Sequence, residues 1–202
     1  MEFMTGVNRK DTMEISELLE AIKEGEGRDE AFSALEERYM PLMQKRVAQY
    51  FAASGSTSEA MQEARIALHS AALSYDADKS GTVTFGLYAG ICIANRLKSM
   101  LRESARRSER ETPYSETERI ASGVDLESFI AARDLCARVM DVARSVLSEF
   151  EYEVFRLSFE QYTTQDIAGK LQREPKAVDN AKFRISSRLR DNERIRDILS
   201  DI

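Results

Sequence analysis

Residues 163–190 read TTQDIAGKLQREPKAVDNAKFRISSRLR. Thr163 and Asp166 match a capping box, which predicts that a short helix begins there. After a tight turn, Pro175 suits the first position of a second helix. The residues that would pack the two helices together are small or aliphatic: Ala168, Val178, Ala181, Ile185 and Leu189. This spacing is typical of a helix-turn-helix.

The outward face of the predicted second helix carries polar and charged side chains. Asparagine can pair with adenine, while lysine and arginine reach guanine or the phosphate oxygens. We therefore expect a DNA-binding surface formed by Arg173, Lys176, Asp179, Asn180, Lys182 and Arg184. Any two amphipathic helices can produce the same pattern, so a helical pair with a solvated face is the alternative interpretation.

Helical periodicity continues upstream of this unit, and strand patterns are nearly absent. Apolar residues recur at helical spacing over residues 14–23, 29–53, 57–75 and 85–106. Such stripes are what the buried faces of packed helices require. The sequence therefore predicts a compact helical bundle in the first half of the chain.

A polar segment separates this bundle from the C-terminal part. It lacks apolar periodicity and contains Pro113 and Gly123, which predicts a flexible linker. Beyond it we expect a long helix over residues 126–146, then a capping box at Ser148 and Glu151. The whole is expected to be an all-α fold of two helical domains. Its predicted parts are an N-terminal extension (1–28), a helical bundle (29–107), a linker (108–125) and a C-terminal helix-turn-helix domain (126–202).

The composition excludes several classes of protein. Of 202 residues, 43% are hydrophobic and 32% charged, with nine Gly and three Pro, which excludes collagen-like, low-complexity and wholly disordered chains. Cys92 and Cys136 lie in apolar stretches and are expected to be core residues, which fits a reducing compartment. With no signal pattern and no apolar run near the length of a bilayer span, we expect a cytoplasmic protein without membrane association.

The net charge of −6 hides a clustering of basic residues. Residues 96–110 carry six basic and two acidic side chains, and residues 170–196 carry nine basic and four acidic ones. Between them, residues 111–166 carry twelve acidic and five basic side chains. Two basic blocks divided by an acidic one favour two separate surfaces for a polyanion, with ordinary solvated helix faces as the alternative.

Catalytic chemistry is not expected from this sequence. His69 is the only histidine, so neither a histidine cluster nor a Ser/His/Asp arrangement can form. Glycine-rich loops that cradle phosphates are absent from the sequence. Glu59 and Glu63 share a helix face, but the Glu-x-x-His pairs of di-iron bundles are missing. We predict that the protein is not an enzyme and has no catalytic residues, cofactor or metal.

The last helix of the predicted bundle offers a second surface for nucleic acid. Its polar face gathers basic residues near aromatic ones, and this combination suits single-stranded or opened DNA because bases can stack on the rings. The candidates are Phe85, Tyr88, Asn95, Lys98, Arg102 and Arg106. The alternative interpretation is that the aromatic residues belong to the core.

Together these motifs resemble the sigma-70 family of bacterial RNA polymerase sigma factors, in particular the sigma-H type. Residues 59–68, EAMQEARIAL, are similar to the family's segment Asp-Leu-x-Gln-Glu-Gly-x-x-Gly-Leu, and Gln62 and Glu63 match it residue for residue. Residues 85–96, FGLYAGICIANR, are similar to the stretch that melts and reads the minus-10 promoter element. The region that reads the minus-35 element is similar in sequence to three stretches of this chain, residues 147–151, 162–168 and 177–181.

The resemblance implies a set of partners. In the family the first segment docks on the clamp helices of the beta-prime subunit, which implies polymerase binding through Glu59, Gln62 and Glu63. The short linker leaves no room for a full middle domain, which points to an alternative rather than a housekeeping factor. The implied partners are the RNA polymerase core (beta-prime clamp helices and beta flap), promoter DNA and an anti-sigma factor.

Two other functions compete with the sigma factor. The first is a stand-alone helix-turn-helix transcriptional regulator that binds DNA without polymerase and uses the N-terminal bundle for sensing or dimerisation. The second is a degenerate sigma-like protein that only binds polymerase or another factor. The three differ in whether polymerase is needed for DNA binding and in whether a transcript is made.

Overall fold

The computed structural model describes residues 14–25, 27–52, 56–77, 81, 83–109 and 126–200. Nine helices and no strand occupy these residues, which confirms the all-α prediction. In chain order the helices are α1 (Ile15–Glu24), α2 (Arg28–Phe51), α3 (Thr57–Ser74), α4 (Phe85–Glu109), α5 (Leu126–Val146), α6 (Glu149–Phe159), α7 (Thr164–Lys170), α8 (Pro175–Arg190) and α9 (Glu193–Ser200). Over the same residues, no helix combines the length and the apolar character that a membrane span needs.

The end of α4 and the presence of α9 differ from the sequence predictions. Helix α4 continues to Glu109, past residue 108 where the linker was predicted to begin, and residues 110–125 lie outside the described residues. Helix α9 was not predicted. It begins after Asn192, whose side-chain oxygen accepts a hydrogen bond from the amide of Ile195 (3.2 Å), and it buries Ile195 and Ile198. These two isoleucines explain why so short and polar a helix forms.

Helix α1 belongs to the bundle rather than to a separate extension. Its four aliphatic residues recur at helical spacing and are all buried, and the helix packs on α2 and α3. They are Ile15, Leu18, Leu19 and Ile22. Burying one such side chain is worth about 1.5–3 kcal/mol, so four of them hold the segment in place. The predicted boundary at residue 28 would divide α1 from the bundle, whereas in the structure α1 is part of the bundle.

Both predicted capping boxes are present. The amide of Glu151 donates to Ser148 Oγ (3.3 Å), and the amide of Ser148 donates to Glu151 Oε2 (3.0 Å). The same exchange joins Thr163 and Asp166, at 3.2 Å and 3.0 Å. Each box satisfies backbone amides that have no partner within the first helical turn, which fixes where α6 and α7 begin.

The two predicted domains pack against each other in the structure. Helix α4 packs against α5 and against the end of α6. A β-carbon built on Gly86 of α4 would lie 1.7 Å from the carbonyl oxygen of Phe159, so this contact is open only to glycine. One hydrophobic core runs through both halves. The division into two domains consequently stays a prediction.

Polar contacts surround this junction between the halves. The Tyr39 hydroxyl donates to Glu160 Oε2 (3.3 Å), and Arg38 Nε donates to the Glu160 carbonyl oxygen (3.0 Å). Burial raises the pKa of Glu160 above its ordinary value, although the Tyr39 hydrogen bond opposes the shift. Further out, Lys170 pairs with Glu14 at 2.8 Å. The junction is thus partly polar and built from both halves.

Candidate nucleic-acid interface

Helices α7 and α8 pack against each other, while the helix-turn-helix itself stays a prediction. Ala168, Val178 and Ala181 are buried at their crossing. Between the helices, the amide of Arg173 donates to the Ala168 carbonyl oxygen (2.9 Å). Gln172 turns the chain with φ of 52°, a left-handed conformation that few residues other than glycine adopt readily. The assignment of this pair to DNA binding stays a prediction.

The turn and the first half of α8 carry most of the residues that are predicted to contact the minus-35 element. The structure leaves Arg173, Lys176, Asp179 and Asn180 exposed on the surface. Asp179 and the half-buried Lys182 are both fixed by Thr164 of α7, whose hydroxyl donates to Asp179 Oδ1 (3.0 Å) and accepts from Lys182 Nζ (2.9 Å). These contacts orient the first turns of α8 relative to α7.

Glu151 anchors α8 to α6. Its side chain is 3% exposed, yet the carboxylate pairs with Arg184 at 2.7 Å and with Arg188. Burial alone would raise the pKa of Glu151, but the hydrogen bonds from Arg184 and Ser148 and the charge of Arg188 outweigh it, so the pKa lies below its ordinary value. A buried carboxylate stays ionised at such a site because it is paired and hydrogen-bonded.

The same contact gives Arg184 a structural role. Its side chain is 47% exposed, and its Nε donates to the buried carboxylate of Glu151 at 2.7 Å. Arg184 therefore helps to position α8, and its contact with DNA stays a prediction. The carboxylate that holds it lies 33 residues away in the sequence.

The structure corrects the roles predicted for Phe85 and Tyr88. The two side chains are 1% and 3% exposed, so neither ring is available to stack on a base. Phe85 makes edge contacts with Tyr39 and Tyr75, at 5.5 Å and 5.4 Å between ring centroids. Both residues lie on the apolar stripe of α4 that faces the bundle, and burial of aromatic surface decides their position.

Four of the predicted minus-10 residues lie along one polar side of α4, and their role stays a prediction. Lys98 and Asn95 are half-buried, and Arg102 and Arg106 are exposed further along the helix. Burial lowers the pKa of Lys98, and the positive charges of Arg102 and Arg46 lower it further. Mutual repulsion of this kind is relieved when an anion neutralises the cations. The face is therefore suited to a phosphate backbone.

Arg46 is a member of this surface that the sequence analysis missed. It lies on α2, and its Nε is buried without a hydrogen-bond partner among the described residues, while Nη1 donates to Gln49 (3.1 Å). No local pattern in the sequence signals its role, because it joins Lys98 and Arg102 only when α2 packs on α4.

The outward face of α3 carries the predicted polymerase-binding residues. Glu59 and Gln62 are exposed, whereas Glu63 forms an ion pair with Arg96 of α4 at 2.7 Å. The same face leaves two large apolar side chains in solvent, Ile66 at 52% and Leu73 at 44% exposure. Sequence reasoning missed both, although both fall outside the inward stripe of α3, which was the available signal. We call Glu59, Gln62, Ile66 and Leu73 the α3 face.

Comparison with known proteins found no matching family model and no matching curated protein. Function is therefore inferred from the residues and their geometry. Within the described ranges, no three His, Cys, Asp or Glu side chains come together as ligands for a metal. The expectations that the chain is not an enzyme and takes no cofactor stay predictions.

Proposed function

We propose that this chain is an alternative sigma factor that directs core RNA polymerase to a restricted set of promoters. The α3 face binds the polymerase, the basic face of α4 holds the opened strand near the minus-10 element, and α8 enters the major groove at the minus-35 element. The proposal is supported by the motif resemblance and by the exposure of α3 and α8 side chains that a partner would cover.

The proposal rests mainly on the exposed apolar residues of the α3 face. On one exposed side of α3, a carboxylate and an amide are followed by two large apolar residues. Apolar residues that are not used in a protein's own core are typical of binding surfaces when polar groups surround them. Glu59, Gln62 and Ile66 of this face lie within residues 59–68, the segment that resembles the polymerase-docking motif, which favours polymerase as the partner.

The charge distribution fits the proposed roles of α4 and α8 in DNA binding. The basic residues of α4 and α8 offer phosphate contacts, which give affinity without sequence preference. The acidic segment between them repels DNA, so binding to promoters is expected to be weak until polymerase is present. Sequence preference would come from Lys176, Asp179 and Asn180 at base edges.

A promoter-bound form requires the halves to separate. The two elements lie about 25 base pairs apart, or roughly 85 Å of duplex at 3.4 Å per base pair. A compact chain of this length has a radius of gyration of only about 16 Å. The junction around Gly86 and Glu160 would therefore open when the chain binds polymerase and DNA.

Replacing Ile66 with lysine tests the polymerase-binding role of the α3 face. We expect about tenfold weaker binding to core RNA polymerase, because the substitution places a charge where an apolar contact is needed. The measurement is a titration of labelled protein with core polymerase. Thermal unfolding of the variant is expected to match the wild type, since Ile66 is exposed.

The matched control is Ile130→Lys, which makes the same change at a 47% exposed isoleucine of α5. This control is expected to bind polymerase normally. Equal affinities for both variants would contradict the role of the α3 face. Wild-type protein that ignores polymerase but binds duplex DNA tightly would favour the stand-alone regulator instead.

A further inference from the structure

Phe183 has the largest exposed fraction, 78%, of the large apolar side chains in the described part of the chain. It lies on α8, where Val178, Ala181 and Ile185 form the buried side. The side chain at position 183 projects away from that side, so burial of its ring adds little to the stability of the fold. A phenylalanine is also a poorer helix former than most residues found on helix surfaces.

The surroundings of Phe183 are polar and cationic. Asn180 and Ser187 lie three residues before it and four after it, and these spacings place all three on one exposed strip of the helix. Lys176 and Arg190 lie on the same strip, nearer the two ends. Helix α8 as a whole carries five basic residues and one acidic residue. This charge favours a polyanion over an apolar protein surface as the partner.

Within the major groove, thymine is distinguished by the 5-methyl group on its exposed edge. An aromatic side chain beside an amide on a helix that enters the groove can contact that methyl group while the amide bonds a neighbouring base. The basic residues at the ends of the strip would contact phosphates and fix the depth of insertion.

We infer that Phe183 is a specificity-determining residue whose ring contacts a thymine methyl group in the major groove. The inference rests on the proposed function, because it assumes that α8 enters duplex DNA. It adds a preference that hydrogen-bonding residues cannot supply, since uracil presents the same hydrogen-bonding groups as thymine and lacks only the methyl.

The test begins with the full chain bound to core RNA polymerase and a duplex library randomised over the upstream promoter region. Sequences enriched by the wild type are then remade with uracil in place of thymine, one position at a time. The wild type is expected to lose about fourfold in affinity at one or two positions, which is the worth of one buried methyl group. Phe183→Ala is expected to bind the thymine and uracil duplexes equally.

Two further variants serve as controls. Phe183→Leu keeps an apolar side chain and is expected to retain part of the thymine preference. Asn180→Ala is expected to change the base preference at another position and to leave the ratio of thymine to uracil affinity intact. Because residue 183 is exposed, both of its variants are expected to fold.

The outcomes separate the inference from the proposed function. If Phe183→Ala keeps the thymine preference, the inference fails. It also fails if no replacement of thymine by uracil lowers the affinity of the wild type. Neither result contradicts the proposed function. Weaker binding of Phe183→Ala to polymerase, with base preference unchanged, would assign the ring to a protein partner and overturn the inference. If the wild type enriches no sequence, the inference and the proposed function fall together.

Discussion

Replacing Glu151 with alanine is expected to lower the free energy of unfolding by about 3 kcal/mol, measured by chemical denaturation. The substitution removes a buried carboxylate from between Arg184 and Arg188 and leaves the amide of Ser148 without its acceptor in the capping box of α6. Loss of one partner of a buried ion pair and loss of half of the capping box both contribute to this figure. The two arginines are about half exposed, so water can solvate them, which keeps the loss at the lower end of the range.

Glu151→Gln is the matched variant, because it keeps the shape of the side chain and removes its charge. Since the pKa of Glu151 is lowered in the folded protein, the ionised form stabilises the fold at pH values above its ordinary value of 4.5. This stabilisation is lost as the pH falls below that value. The stability difference between wild type and Glu151→Gln should therefore shrink on acidification. A difference that stays constant between neutral pH and pH 3 would contradict the ion pair.

Replacing Gly86 with alanine is expected to destabilise the protein by about 2 kcal/mol. The new β-carbon would lie 1.7 Å from the carbonyl oxygen of Phe159 and 2.4 Å from its carbonyl carbon, so backbone must move. Overpacking of this kind typically costs about 1–3 kcal/mol. The measurement is the midpoint of denaturant unfolding for the full chain.

Gly90→Ala on the same helix is the control. Its β-carbon would meet only Leu42 Cδ2, at an ordinary contact distance of 3.7 Å, and alanine favours a helix over glycine by about 1 kcal/mol. This variant should be more stable than the wild type. The two substitutions are therefore expected to have opposite signs. If Gly86→Ala also stabilises the chain, the halves do not pack in solution as they do in this structure.

The local signals in the sequence were sufficient to predict most of the helices. Capping boxes at Ser148 and Thr163 fixed the starts of α6 and α7, and aliphatic spacing alone identified the buried side of α8. These features depend on residues three or four apart, so a single sequence contains them. The short helix α9 escaped prediction because its two isoleucines are too few to establish a period.

The candidate sites were harder to predict, because tertiary packing decides which side chains reach solvent. Phe85 and Tyr88 are aromatic residues of the kind that stack on bases, but both lie in the core. Arg184 has the charge of a phosphate contact and is held by Glu151. Conversely, Phe183 and Ile66 look like core residues by type, and only the orientation of their helices leaves them exposed.

The contact between the two halves could not have been predicted at all. Gly86 and Phe159 are far apart in sequence, and no local pattern in either segment predicts that the two residues are in contact. The glycine at position 86 is unremarkable within its helix until the carbonyl that faces it is known. Under the proposed function, contacts of this kind would determine whether the two proposed DNA-binding surfaces can be used together.

Transcription in a purified system tests the central claim most directly. The full chain is added to core RNA polymerase and genomic DNA from the organism that encodes it, and the 5′ ends of the transcripts are sequenced. A sigma factor is expected to produce new transcripts whose start sites share a common upstream sequence in two blocks. Polymerase that binds the chain but makes no transcripts above the level of core enzyme alone would contradict the claim.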